Sequence, residues 1–245
     1  MEYLNDILAD VEERIDHISA IGDVNEDLVK IARVNLESIK ADLTATGKNA
    51  GILNKVNTQL RMYDQVAMIP ALATKFPIIR EQMIVLMIGA LEVFIADVYK
   101  EIANRNAEYF YWNDTKEKIT FEPSILREGF TLGDVLTGHL KNKGYSFQDL
   151  HSLIRSFEVY CGIQIELDTK SKDMMILGAA ARHIIVHNRS EVDSQFLKQI
   201  RETIYAKRYK KGKPINVTDD FVAELRDVIK TFCGYIIVHL QQRDD

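Results

Sequence analysis

The chain has 245 residues, 47% hydrophobic and 27% charged, with a formal net charge of −5, the composition of an ordinary soluble globular protein. That length suits one large domain, or a domain with an extension. Cys161 and Cys233 are too few for a disulfide framework, and the N-terminus has no basic region followed by an apolar core, so reduced thiols and a cytoplasmic location are expected.

Leu4, Leu8, Val11, Ile15 and Ile18 recur at spacings of four and three, one apolar stripe along a helix over residues 4–18. Gly22 and Asn25 punctuate the pattern. Asn25 is placed to cap a second helix to about Leu43, with Leu28, Ile31, Ala32, Leu36 and Ile39 on its apolar face. Two such helices predict an N-terminal helical hairpin, packed on itself or on the main domain. Residues 44–51 read as a loop and 52–66 as a weaker helix, before a break bracketed by Pro70 and Pro77. The expected division is an extension over 1–75 and a helical domain over 76–245.

Pro77 suits the first turn of a helix, where its missing N–H is no loss, and that helix runs to about Asn106. Its longest apolar run, Met83 to Leu91, stops at Glu92, short of the roughly 18 residues that a membrane span requires, so no membrane partner is expected. Glu92 and Asp97 are the exceptions to explain in this helix. Residues 107–124, with Tyr109, Phe110, Tyr111 and Trp112, read as an aromatic loop over the core, with base stacking as the alternative. Helices over 131–141 and 146–161 follow. A linker over 166–171 then supplies capping residues to a helix whose apolar run, 174–181, ends in Arg182-His183-Ile184-Ile185-Val186-His187-Asn188. A polar turn, a helix from Asp193 to about Lys207, an exposed basic loop over 205–213 with two tyrosines, and a last helix capped by Thr218 complete the chain. Strand-like alternation is scarce. The expected fold class is all-α.

An Arg and two His in seven residues are an odd end for an apolar helix, because long charged side chains are rarely buried without a partner. Arg182 is a permanent cation and His187 a ring that titrates near neutrality, a pair suited to an anionic substrate that gains and loses protons. On a regular helix the two lie about 140° apart. A common site therefore needs either a frayed last turn at His187 or a second copy facing the first. The negative end of the helix dipole favours the protonated ring, and Arg182 opposes it.

His183, one turn before His187, is placed to orient that ring, touch phosphate or pack. Asn188 suits the helix C-cap, where Asn tolerates the left-handed conformation, with a phosphate contact as the alternative. Glu92 either pairs with Arg182 or lies on the surface. The His183-x3-His187 spacing also fits two ligands of one metal. No Glu follows His183 and no third ligand is marked, so neither metal nor cofactor is expected.

Charge is unevenly spread. Residues 1–45 carry eleven acidic and four basic side chains, a net of −7 that leaves +2 on the remainder, while residues 182–213 hold nine Lys or Arg against three acids. A basic segment joined to the motif is what phosphate contacts need, with Arg189, Lys207, Arg208, Lys210 and Lys211 as candidates. A solvated loop offsetting the acidic N-terminus is the other reading.

The order Arg, a polar residue, three apolar residues, then His-Asn resembles the Arg-x4–6-His signature of the HEPN superfamily, whose many ribonuclease members include toxins and phage-defence effectors. Residues 82–98 look like that family's long helix with its embedded Glu, and residues 146–163 like the helix before the motif helix. Residues 191–196 and 211–215 fit the segment that follows it in many bacterial members, and the chain as a whole resembles toxin or defence proteins of the RiboL-PSP-HEPN or MAE-like type. The resemblance spans about residues 77 to 243. One departure is His183, where the family often has Asn or Asp.

The resemblance implies a HEPN-like helical bundle and a homodimer whose sites form where two motif helices meet. It also implies a metal-independent endoribonuclease, with RNA as substrate. Arg182 and His187 would be catalytic, and His183, Asn188 and Glu92 supporting. The alternative is a catalytically inactive HEPN-like dimeric module that binds a partner or nucleotide. An antitoxin or regulatory protein held by the acidic hairpin, or a hairpin that masks the basic site, also stays open.

Overall fold

The computed structural model describes residues 2–46, 50–67, 75–106, 131–142 and 150–242. Eight helices organise them: α1 (Glu2–Thr46), α2 (Ala50–Ala67), α3 (Lys75–Arg105), α4 (Leu132–Asn142), α5 (Leu150–Ser156), α6 (Thr169–His187), α7 (Ser194–Ile200) and α8 (Asp219–Gln241). A π-helical turn, Phe157–Cys161, continues α5, and a 3-10 turn, Ala206–Arg208, follows α7. Among the described residues the pairing of extended chain is limited to one isolated bridge, Glu191 with Pro214. The fold is all-α. The aromatic stretch over 107–124 lies outside the described residues.

The N-terminal segment departs from the expected hairpin. α1 is one helix of 45 residues, roughly 67 Å long at 1.5 Å per residue, and its backbone stays helical through Gly22 and Asn25. A lone glycine costs a helix interior only about 1 kcal/mol, and no proline follows to stop the chain. The hairpin forms instead between α1 and α2, where Val56 and Leu60 are buried. Leu4, Val11 and Ile15 join the same core as α3 and α8, so the first half of α1 is part of the main core. Beyond it, residues 33–45 are mostly exposed.

α3 is the central element and packs against α1, α4, α6 and α8. Pro77 lies in its first turn, as expected. By length and composition its Pro77–Arg105 stretch could cross a membrane, but half of its apolar window is buried in this core. Ile84, Met87, Phe94, Ile95 and Tyr99 are at most 2% exposed. Asp97 is only partly buried, and burial pushes its carboxyl above the ordinary value against the pull of Arg14 and Lys100.

Close helix crossings fix the remaining layers. At Gly133 of α4 an added Cβ would sit 2.3 Å from the Lys100 carbonyl oxygen, so α4 meets the α3 backbone directly. Asp134 accepts from the Thr131 N–H at 2.8 Å and its hydroxyl at 2.7 Å, a capping box that starts α4. Those bonds, with Lys100 beside it, hold the Asp134 carboxyl down to about 2. At Gly178 of α6 an added Cβ would meet Leu225 Cδ1 at 2.8 Å and Ile88 Cδ1 at 3.4 Å, which seats the motif helix tightly between α8 and α3.

Caps explain where α6 and α8 begin. Asp168 accepts from the Lys170 and Ser171 N–H groups at 3.0 and 3.1 Å, and Thr218 from that of Phe221 at 3.2 Å. α7 stops short of the expected Lys207. Its end is made by Thr203, whose hydroxyl donates to the Ile200 carbonyl at 2.7 Å, and by Asp173, which accepts from the Ile204 N–H at 2.8 Å. Asp173 belongs to α6, so this stop signal is tertiary.

Candidate functional site

The site is built at the end of α6. Arg182 reaches across to α3 and sets Nη1 3.3 Å from Glu92 Oε1, with the two side chains 22% and 21% exposed. Of the two readings of Glu92, the structure takes the pair. A carboxylate in an apolar helix at that depth needs a cation, and the motif helix brings one. Arg182 Nε is buried and has no acceptor among the described residues.

His183 and His187 stand on the next face, their ring centroids 5.1 Å apart and tilted by 51°. His187 is exposed and His183 half-buried. α6 is regular through His187, so the frayed last turn that would have swung this ring towards Arg182 does not occur. Within one chain the two residues keep the helical separation of about 140°. Between them on the helix surface lie Ala179, His183 and Val186, the last 51% exposed.

The turn after α6 differs from the expectation for Asn188. That residue has φ −133° and not the left-handed conformation; Arg189 (φ 52°) and Ser190 (φ 63°) take it instead. The Asn188 N–H donates to the Ile184 carbonyl at 2.9 Å and its Nδ2 to the Glu191 carbonyl at 2.7 Å, so its side chain closes the turn and the reversal falls on the next two residues. Left-handed backbone costs a residue with a side chain roughly 1–2 kcal/mol. The turn is held by the Ser190 N–H on the Ile184 carbonyl at 3.0 Å and by the Ser190 hydroxyl on Glu81 Oε2 at 2.7 Å.

The basic segment is tied to this turn. Ile215 N–H donates to the Ser190 carbonyl at 2.8 Å, Val192 N–H to that of Lys213 at 2.9 Å, and Gly212 N–H to that of Val192 at 2.8 Å. Arg189, Lys207, Arg208, Lys210 and Lys211 are all exposed, and those bonds hold the segment carrying the last four beside the end of the motif helix. The loop's cations are exposed as expected of it, but its two tyrosines are not. Tyr205 is 2% exposed, and Tyr209 is half-buried, edge-on to Phe196 with centroids 5.2 Å apart. Their rings root the loop in the core while the cations face outward.

Among the described residues no three His, Cys, Asp or Glu side chains converge as metal ligands. Sequence reasoning missed three residues that hold the site: Glu81 and Ser190, which clamp the turn, and Asp173, which positions residue 204. Asp173 had a visible signal, an acid immediately before the apolar run of the motif helix.

The chain matches no protein-family model, no curated protein and no solved structure.

Proposed function

We propose that the protein is a metal-independent endoribonuclease of HEPN type that works as a homodimer, in a toxin or phage-defence role. The observation that carries this reading is the Arg182 guanidinium. It is paired with Glu92 at the end of a helix that also presents two histidines and has a basic segment tied beside it.

The chemistry follows from the residue types. An imidazole of His187 takes the proton of a ribose 2′-hydroxyl, and the 2′-oxygen forms a bond to phosphorus as the P–O5′ bond breaks. The departing 5′-oxygen takes a proton from a protonated imidazole. Arg182 holds the non-bridging oxygens and stabilises the charge that gathers on them in the transition state. The products are a 2′,3′-cyclic phosphate and a 5′-hydroxyl. DNA lacks the nucleophile and is not cut.

The homodimer is supported by the same geometry. Arg182 and His187 diverge on a regular helix, and the surface between them is half apolar. A facing copy would set the histidine of one helix near the arginine of the other. The exposed cations then supply sequence-independent phosphate contacts.

The test is cleavage of single-stranded RNA and tRNA by purified protein in EDTA, with end-group chemistry of the products. The expected result is EDTA-resistant cleavage that leaves cyclic phosphate and is blocked by a 2′-deoxy substitution at the cut. Cleavage abolished by EDTA would point to a metal on His183 and His187. No cleavage of either RNA would favour the inactive interaction module.

A further inference from the structure

Half of the apolar window of α3 is not buried in the chain's own core. The uncovered residues form one face. Ile78, Gln82, Val85, Gly89, Val93 and Ala96 recur at spacings of four and three, a single helical stripe, and each is exposed or half-buried. Ile78 is 55% exposed, Leu86, beside Val85, 47%, and Val93 43%. Glu92 marks the edge of the face. Its pair with Arg182 joins the face to α6, where Val186, one turn past Arg182, is 51% exposed.

Gly89 sits at the middle of the stripe. An added Cβ there would meet nothing within 4 Å, so nothing in the described chain requires a glycine. Glycine is nonetheless unfavourable inside a helix, and one of its uses is to let another backbone come close. Gly51, Gly138 and Gly234 are as open, so openness by itself selects nothing. Gly89 differs from these three in having exposed aliphatic side chains a turn away on both sides, Leu86 and Val93.

Charge narrows the occupant. Of the three charged residues between Ile78 and Ala96 none belongs to the stripe, and each is engaged inside the chain: Arg80 with Asp219, Glu81 with the Ser190 hydroxyl, and Glu92 with Arg182. The stripe thus has no cation to offer the phosphates of an RNA or of a lipid headgroup. A neutral apolar face is complementary to one of its own kind, and a second copy related by a twofold axis presents it. The stripe is roughly 27 Å long and, with α6 beside it, the face is about 20 Å wide, a footprint on the order of 500 Å² per copy. Specific dimers bury about 600–1,000 Å² per partner, so the face has nearly the size that a modest dimer needs.

We propose that a second copy of this chain docks on the α3 face, with α3 crossing its counterpart at Gly89 and with Leu86, Val93 and Val186 buried in the contact. α3 then supplies the core of the contact and α6 its edge. The contact stands on the face alone. That it also brings a histidine of the facing copy to Arg182, in the seam beside the stripe, rests on the ribonuclease reading.

The test compares full-length wild type, Gly89→Leu and Leu86→Glu by sedimentation equilibrium across the micromolar range. Circular dichroism and thermal melting at submicromolar concentration control for folding. Ile31→Glu, which changes an isoleucine of α1 that is 57% exposed, controls for a dimer formed elsewhere. Wild type should dimerise with a micromolar Kd. Gly89→Leu should weaken dimerisation about tenfold or more and leave the monomer as stable as wild type or more so, because the position is open within the chain and leucine favours a helix. Leu86→Glu should weaken it similarly, and Ile31→Glu should leave it unchanged.

A wild type that stays monomeric across that range would overturn the proposal, as would a dimer that survives both α3 substitutions or is lost in Ile31→Glu instead. Flotation of a monomer with phosphatidylcholine vesicles, abolished by Leu86→Glu, would give the face to a lipid surface and equally overturn it. A Gly89-dependent dimer without Arg182-dependent cleavage of RNA would sink the ribonuclease reading and leave the contact standing. Arg182-dependent cleavage by a protein that stays monomeric would overturn the contact and leave the chemistry.

Discussion

Arg182→Ala and His187→Ala are each expected to slow RNA cleavage by about 10²–10⁴-fold, the range over which a lost acid–base group or a lost transition-state clamp acts. The two losses differ structurally. His187 is exposed at the end of α6, so its removal should change stability by no more than about 0.5 kcal/mol. Arg182 meets Glu92 across the α3–α6 seam, so its removal takes a cation from a partly buried carboxylate and lowers the melting temperature. Arg182→Lys separates the two effects. It keeps a charge for Glu92 but loses the planar fork that binds phosphate through two parallel bonds. Cleavage rates of a labelled RNA, with melting curves for all three variants, check this. An active Arg182→Lys would mean that Arg182 serves only as a counter-ion.

Tyr99→Ala should produce the largest loss of stability. Tyr99 is fully buried in α3, stacks on Phe157 at 4.7 Å between centroids, and donates to Ser156 Oγ at 2.7 Å. Truncating a buried aromatic ring to alanine costs about 3–5 kcal/mol, a fall in melting temperature of roughly 6–20 °C for a chain of this size. Tyr99→Phe keeps the stacked ring and loses one hydrogen bond, at about 1 kcal/mol. Ser156 retains its bond to the Leu153 carbonyl at 2.7 Å, so no buried hydroxyl is stranded. Calorimetry of the two variants distinguishes them, and equal losses would show that the stack contributes little. The effect reaches the site because Tyr99 and Glu92 share one face-to-core helix, two turns apart.

The order of helices could be read from local signals. Pro77 and the apolar run behind it announced α3, and Thr218 announced α8. The starts of α6 and α7 lie on capping residues, Asp168 and Asp193, each accepting from backbone N–H groups one turn on. What failed locally was decided by tertiary contacts. Gly22 looked like a turn, but a single glycine costs a helix interior only about 1 kcal/mol and no proline follows it, so α1 runs on through it. The end of α7 depends on Asp173, distant in sequence, and the burial of Tyr205 on the loop folding back against α6 and α8. Glu92 left two readings open because its period alone does not say what lies opposite; packing against α6 chose the pair. Asn188 carried the right residue type for a left-handed cap, but its amide found the Glu191 carbonyl and the reversal moved to Arg189 and Ser190.

A mixing experiment tests most directly whether Arg182 and His187 act together across two copies. Arg182→Ala and His187→Ala proteins are assayed separately and then after joint refolding or co-expression. In a mixed dimer one composite site regains an intact arginine from one chain and an intact histidine from the other. Recovered EDTA-resistant cleavage, up to about half the wild-type rate at the fraction of mixed dimer present, is the predicted result. Mixed dimers that form and still fail to cut RNA, while wild type cuts it, would contradict the shared site.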